Sequence, residues 1–393
     1  MEAAASKPRR RDGIAVFLAG TGAAFGAGNM GPVVPELAAD FDLSLASVGL
    51  LAGTVYYLFV VIGLALAPRV GEKLGVVGGL RLTCLCGGAG SLIFAIAPDV
   101  IVLGAGRAFA GLALGFIGVF GPVYARETGG IPRVGVFGAA FQFGIGAGLA
   151  TGSVLADLGA DWRVGFVVSA VVALSALPLL GGVAPVSLSR PAGGFLKLAR
   201  STPRVYRLGM LFIAMFSVPL LLGTWLVHYL SVQGGMNVSL AGSLSFVLFG
   251  ASALLRLVGA NLDAKGVVPK VALRAGAPML ATVGVLLLAL DTSFAVAAPA
   301  VILMAAGFAI PYAVMVVSAQ ALYPQEPADP VSLLTTLACL LPIGLIPLMG
   351  AALSDGYGEE AFGILAILIT AAAVVNLKPA NEPLGEPAQP GSG

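Results

Sequence analysis

Apolar residues along this chain fall into unbroken runs about as long as a bilayer's hydrocarbon core is thick, parted by short clusters of polar residues, Gly and Pro. The runs do not alternate apolar and polar positions, as membrane-barrel strands of about ten residues do, so each reads as a helix. Twelve spans are expected, at roughly 14–35, 45–68, 78–97, 101–124, 134–156, 163–184, 206–230, 240–262, 271–290, 294–320, 331–353 and 361–377. Most connections are short. One longer stretch, Pro185 to Val205, carries Arg190, Lys197, Arg200 and Arg204 and divides the spans six and six. The Pro- and Gly-rich tail after Lys378 has the composition of disordered chain. The predicted organisation is all-α: an N-terminal segment 1–13, a six-helix bundle 14–184, a linker 185–205, a second bundle 206–378 and a disordered tail 379–393.

Charge orients the spans. Of 21 Lys and Arg, all but three fall in the N-terminal segment, the even-numbered connections, the middle stretch and the C-terminal end. Arg163 lies on the opposite side, and Arg107 and Arg256 lie within spans. This asymmetry puts both termini and the linker in the cytoplasm and supports an even span count. The opening KPRRR followed by an apolar run resembles a signal peptide, but the run is too long, so it is taken as an uncleaved first span.

Composition then narrows the class. Hydrophobic residues make up 58% and charged residues 10%, with 55 Gly and a mean hydropathy of +1.00. Soluble domains hold about 25% charged residues, so a soluble enzyme, a nucleic-acid binder and a disordered chain are all disfavoured. A net charge of +2 argues for no polyanionic partner. Abundant Gly suits helices packed closely in lipid. Cys84, Cys86 and Cys339 lie inside apolar runs at no metal-ligand spacing and read as buried thiols.

The chain also repeats itself. Glu72-Lys73-Leu74-Gly75 after span 2 is echoed by Asp263-Ala264-Lys265-Gly266 after span 8. Gly152-Ser-Val-Leu-Ala-Asp157 at the end of span 5 is echoed by Gly350-Ala-Ala-Leu-Ser-Asp355 at the end of span 11. Two six-helix halves in parallel repeat form a carrier architecture, with a site expected between them near mid-membrane.

Enzyme constellations are missing. The single histidine, His228, leaves no paired-His metal site, and no GK[ST] sequence offers a phosphate cradle, so nucleotide hydrolysis by this chain is not expected. No cofactor is expected. Intramembrane charges are costly and mark cavities or partners. Arg107, about 9 Å in from the outer end of span 4, reads either as a snorkelling cation or as an anion or coupling contact. A third reading pairs it with Glu36 in an outer gate. Arg256, two turns before Asp263, reads as a site residue or as a cation on helix-end carbonyls. Of 19 Asp and Glu, only Glu36 approaches a span interior, so proton coupling would use Glu36, His228 or the solute itself. Further cavity candidates are Thr21, Asn29, Tyr56, Tyr57, Gln142, Thr224, Trp225, Tyr312 and Gln320, each equally readable as a helix–helix hydrogen bond. Gly144, Gly146, Gly148 and Gly152 read as close helix packing, and Pro311, Pro342 and Pro347 as breaks in spans 10 and 11.

On these residues the chain resembles the major facilitator superfamily over roughly 14–378. The Glu72–Gly75 and Asp263–Gly266 segments are similar to the family's G-x-x-x-D-R-x-G-R-R loop, with Glu72 for Asp in the first copy and without the final basic pair. The resemblance implies that Glu72 and Asp263 cap neighbouring helix ends and lock one conformation. Arg107 with Gly111 and Gly115 is similar to the family's span-4 coupling motif. Gly144, Gly148 and Gly152 look like its antiporter motif, with Leu149 where that motif has proline. The Trp225 region and Arg256 to Asp263 look nearest the nitrate/nitrite or cyanate-type porters, but Ala65 stands where those nitrate carriers place a span-2 arginine. The expectation is therefore a secondary active transporter of the cell membrane, not an enzyme. It would move a small solute such as a small or organic anion, with H+ or another ion, by rocker-switch alternating access. The expected contacts are Arg107, Glu36, Gln142, Trp225, His228, Arg256 and Tyr312, with Glu72, Gly75, Asp263 and Gly266 as the conformational motif, and the chain is expected to be monomeric. The alternatives are drug or metabolite efflux on the same fold and a non-transporting sensor or receptor.

Overall fold

A computed structural model describes residues 10–181, 203–323 and 328–377, so the tail and all but the last residues of the linker lie outside the described part. The described chain is helical, and twelve membrane-length segments can be laid along it. Span 1 is Arg10–Gly28. Spans 2 and 3 form one stretch, Leu45–Ala95, whose 51 residues are more than twice what a bilayer needs. It is broken at Gly75, where φ is +68°. Spans 4 and 5 are Val100–Gly130 and Arg133–Asp157, and span 6 is the shorter apolar segment Arg163–Leu179. The second half follows as Arg204–Val232, Val238–Lys265, Ala272–Leu290, Phe294–Gln320, Pro330–Ser354 and Gly358–Val375, spans 7 to 12. Below, "inner" means the side on which Arg10 lies and "outer" the opposite side.

The duplicated motifs recur as backbone. Gly266 closes span 8 in the left-handed conformation, φ +62° and ψ 18°, and Gly75 at the equivalent turn of the first half is also at positive φ, +68°, but with ψ 175°. The other echo ends alike, with Gly159 after Asp157 and Gly356 after Asp355 both at positive φ. A side chain is strained at such positions, which is why the repeat keeps glycine there.

Large apolar side chains face outward, Leu254 at 68% and Ile367 at 69% exposure, as a lipid-facing surface requires. Between helices the residues are small. A side chain at Gly144 would strike the Thr21 carbonyl of span 1, one at Gly148 the Phe25 carbonyl, and one at Gly152 the ring of Pro32, so the span-5 series is a packing seam as its spacing predicts. Thr21 and Asn29, candidate cavity residues, instead bind helix to helix: Thr21 Oγ1 donates to the Ala140 carbonyl at 3.2 Å and Asn29 Nδ2 to the Gly165 carbonyl at 2.7 Å. Basic residues of the inner side cap the end of span 6. Arg81 donates to the Leu180 carbonyl at 3.1 Å, and Arg11 to that of Pro178.

Proline shapes the second half unevenly. Span 10 is interrupted at Ile310-Pro311 as expected, but span 11 stays helical through Pro342 and Pro347, which corrects the predicted break. A helical proline leaves the carbonyl four residues earlier without a partner. Those carbonyls are Ala338 and Ile343. Ser217 Oγ of span 7 donates to the first at 2.6 Å, and Thr54 Oγ1 of span 2 donates to the second at 2.6 Å. Lateral hydroxyls thus keep span 11 continuous. In spans 7 and 9 the helix widens to a π turn, Ile213–Ser217 and Ala272–Gly276, just before Pro219 and Pro278, which absorbs the missing donor differently.

Candidate functional site

The two halves meet along spans 2 with 11, 5 with 8 and 1 with 7, and the contacts gather on the outer side. A side chain at Gly49 would stand 2.6 Å from Pro347 Cα, one at Gly53 2.6 Å from Ile346 Cβ, and one at Gly31 2.8 Å from the Gly223 carbonyl. Gly242 is against Ser153, and Gly146 lies 3.2 Å from Phe249 by the same measure. Phe143 and Phe246 meet edge to face at 6.0 Å. Gly135, Gly138, Gln142, Gly146 and Ser153 share one face of span 5. That face is sealed at Ser153 and Gly146 but opens onto empty space at Gly138 and Gly135. The halves therefore form a V, closed outside and open inside.

Two arginines sit within its walls. Arg107, 2% exposed, places its guanidinium carbon 4.0 Å from the ring centroid of Tyr56 and donates from Nη1 to the Gly26 carbonyl at 3.1 Å. Gly26 is in the last turn of span 1, where carbonyls lack helical partners and a cation is favoured, so the sequence places Arg107 as a cap on that helix end. Its Nε and the Tyr56 hydroxyl have no hydrogen-bond partner. Tyr57 stands edge to face with Tyr56 at 5.1 Å.

Arg256 repeats the arrangement with the roles exchanged. Its guanidinium carbon is 4.1 Å from the ring centroid of Tyr312, it is half-buried, and its Nε is unbonded. Spans 2 and 8 are equivalent in the two halves, as are spans 4 and 10. One half carries Tyr on span 2 and Arg on span 4; the other carries Arg on span 8 and Tyr on span 10. Arg256 shares the span-8 face of Phe249, which looks at span 5. The register in which Gly242 meets Ser153 and Gly146 meets Phe249 sets Gln142 about one turn from the level of Arg256. Gln142 is buried.

The remaining expected contacts fall elsewhere. Glu36 lies in a short helix beyond span 1, Val34–Asp40, and forms no ion pair with Arg107, whose guanidinium is turned inward to Gly26 and Tyr56. The expected Glu36–Arg107 gate is absent here. Burial, with a smaller contribution from Asp40, raises the Glu36 carboxyl above its ordinary value, and its Oε2 is unbonded. Trp225 is fully buried and donates from Nε1 to the Ile346 carbonyl at 3.0 Å, bracing span 7 against span 11. His228, 9% exposed, stands 6.1 Å from Trp225 with Nδ1 unbonded, at the outer closure. Asp263 leaves Oδ1 unbonded at the inner end of span 8, while Glu72 is exposed on the helix three residues before the break at Gly75. No cluster of metal-ligating side chains occurs among the described residues. Sequence reasoning missed Thr54 and Ser217, because nothing local marks a residue as facing a carbonyl more than a hundred positions away.

The family described as Major Facilitator Superfamily matches residues 16–340. No functionally curated protein matches the chain. Among solved structures, a D-xylose-proton symporter superposes with a TM-score of 0.78 at 17% identity, covering 94% of this chain and 97% of its own. The inward-open xylose transporter XylE from E. coli superposes at 0.73 with 15% identity, covering 95% and 97%. A bacterial homologue of the human lysosomal transporter Spinster, inward-facing and unoccupied, superposes at 0.73 with 19% identity, covering 93% and 95%. At these identities the likeness is one of fold, and it lends no support to the nitrate/nitrite or cyanate-type kinship.

Proposed function

The chain belongs to the Major Facilitator Superfamily, a family of multi-pass membrane transporters rather than enzymes, and from that premise we propose that it is a secondary carrier of a small anionic solute. One observation carries the reading: two guanidinium groups lie within membrane spans, each stacked on a tyrosine and each with an unbonded Nε, and neither has a carboxylate partner among the described residues. A cation held in a membrane without a counter-charge is expensive. A solute carboxylate or similar anion entering the V would supply that charge through charge-assisted hydrogen bonds. Arg256 and Gln142 meet it first from the open inner side. Tyr56, Tyr57 and Arg107 close on it as the halves rock, and Tyr312 holds Arg256 in place. The bundles 14–184 and 206–378 move as the two rigid lobes, with both termini cytoplasmic and the chain working as a monomer in the cell membrane. Carboxylates within the described spans lie near span ends, so a co-transported proton travels with the anion or through Glu36 or His228.

The test is counterflow in proteoliposomes with a panel of small organic and inorganic anions, with and without a pH gradient. Saturable anion counterflow is expected. Arg256→Gln should raise the KM for the anion by about ten- to a hundredfold, the loss of one charge-assisted bond. Arg107→Lys should fold and yet lose most transport, because a point charge cannot both cap span 1 and stack on Tyr56. Export of apolar cations with unchanged kinetics in both variants would overturn the anion reading in favour of efflux.

A further inference from the structure

We propose that Arg207 and Arg274 form a binding site for a phosphate-bearing anion at the inner rim, where spans 7 and 9 begin and span 12 ends. Arg274 is in the π turn Ala272–Gly276 that opens span 9. It is 3% exposed, its Nε has no hydrogen-bond partner, and no ion pair reaches it among the described residues. The charged group that acts on it is a like charge, Arg207. Arg207 is half-buried in the first helical stretch of span 7. Asn376 Nδ2 donates to the Arg207 carbonyl at 2.9 Å, drawing the end of span 12 onto this corner, and span 12 also packs on the π turn that carries Arg274. Of the cations one turn earlier, Arg204 already has a partner and Lys270 is exposed. Arg274 and Arg207 are like charges at one corner of the fold, neither held in an ion pair among the described residues, and Arg274 leaves a donor unsatisfied. One phosphate group resolves both defects, since its oxygens match the planar fork of arginine. The same chemistry comes from an anionic lipid headgroup at the inner leaflet or from free phosphate. The site is separate from Arg107 and Arg256 and stands whether or not the carried solute is an anion.

The experiment is thermal unfolding of the full chain in a maltoside detergent, which holds no phosphate. Phosphatidylglycerol is added in one arm, inorganic phosphate in a second and chloride at matched ionic strength in a third. Wild type should be stabilised by at least one phosphate source and not by chloride. Arg274→Gln and Arg207→Gln should each need at least about tenfold more of that source for the same shift, a difference of one charge-assisted contact. Without phosphate, Arg274→Gln should be at least as stable as wild type, because the repulsion is gone. A response to phosphatidylglycerol alone assigns a lipid site, and a response to inorganic phosphate alone assigns a free anion. Equal shifts in wild type and both variants, or none with either source, would overturn the proposal. Arg207→Gln, at the half-buried position, decides the matter if Arg274→Gln fails to fold.

Discussion

At the scale of single residues, the site depends on charges whose partners are aromatic rings and helix ends rather than opposite charges. Glu36 shows the cost most directly. Its carboxyl is raised by burial, so the folded state binds a proton more tightly than the unfolded state does. That contribution favours folding below the ordinary carboxylate range and is lost as pH rises through the raised value. Glu36→Gln should therefore raise the Tm at neutral pH, and the gain over wild type should shrink as pH falls toward 4, as scanning unfolding at several pH values would show. The sequence made Arg107 and Arg256 conspicuous because a cation in an apolar run has few explanations. It did not show that each lies on a tyrosine, or that Arg107 serves the end of span 1, since those neighbours are set by helix crossing. Arg274 was counted only as a loop charge, because its place at the first turn of an apolar run hides its burial.

At the scale of elements, span 11 is the informative one. Its two prolines were legible as disruptions, yet the helix continues because hydroxyls from two other spans occupy the freed carbonyls. The two hydroxyls should behave differently. Ser217 belongs to the same half as span 11, so Ser217→Ala should lower the Tm without moving the halves. Thr54 belongs to the other half, so Thr54→Val removes a bond made only while the outer side is closed. A hydrogen bond of this kind is worth about 1–2 kcal/mol, or roughly five- to thirty-fold in the ratio of outer-closed to outer-open molecules. Labelling of a cysteine placed in the outer vestibule, read with an impermeant reagent, should rise accordingly in Thr54→Val and stay level in Ser217→Ala. Equal labelling in the two would remove Thr54 from the closure.

At the scale of the whole molecule, twelve spans and their doubled halves were legible because apolar run length and the repeated glycine turns are properties of sequence alone. Which face of the V stands open was not, because that depends on contacts between segments some ninety to three hundred residues apart. The outer seal rests on glycine, so it should be easy to block. Gly49→Leu puts a side chain against Pro347 and Ile346, where even a Cβ would stand 2.6 Å from backbone. It should hold the outer side ajar, abolish counterflow, and leave the inner face of span 5 near Gly138 less reactive to thiol reagents than in wild type. A Gly49→Leu carrier that still exchanges solute at the normal rate would show that the seal seen here is not part of the cycle.

The hydroxyl of Thr54 has a kinetic consequence. An empty carrier that gains a bond by shutting its outer mouth rests with its pocket turned to the inner side, and it must give that bond up on each unladen journey back. The homeward leg without cargo then sets the pace. Solute waiting inside should quicken entry of labelled solute from outside, and Thr54→Val should shrink that acceleration by speeding the empty return.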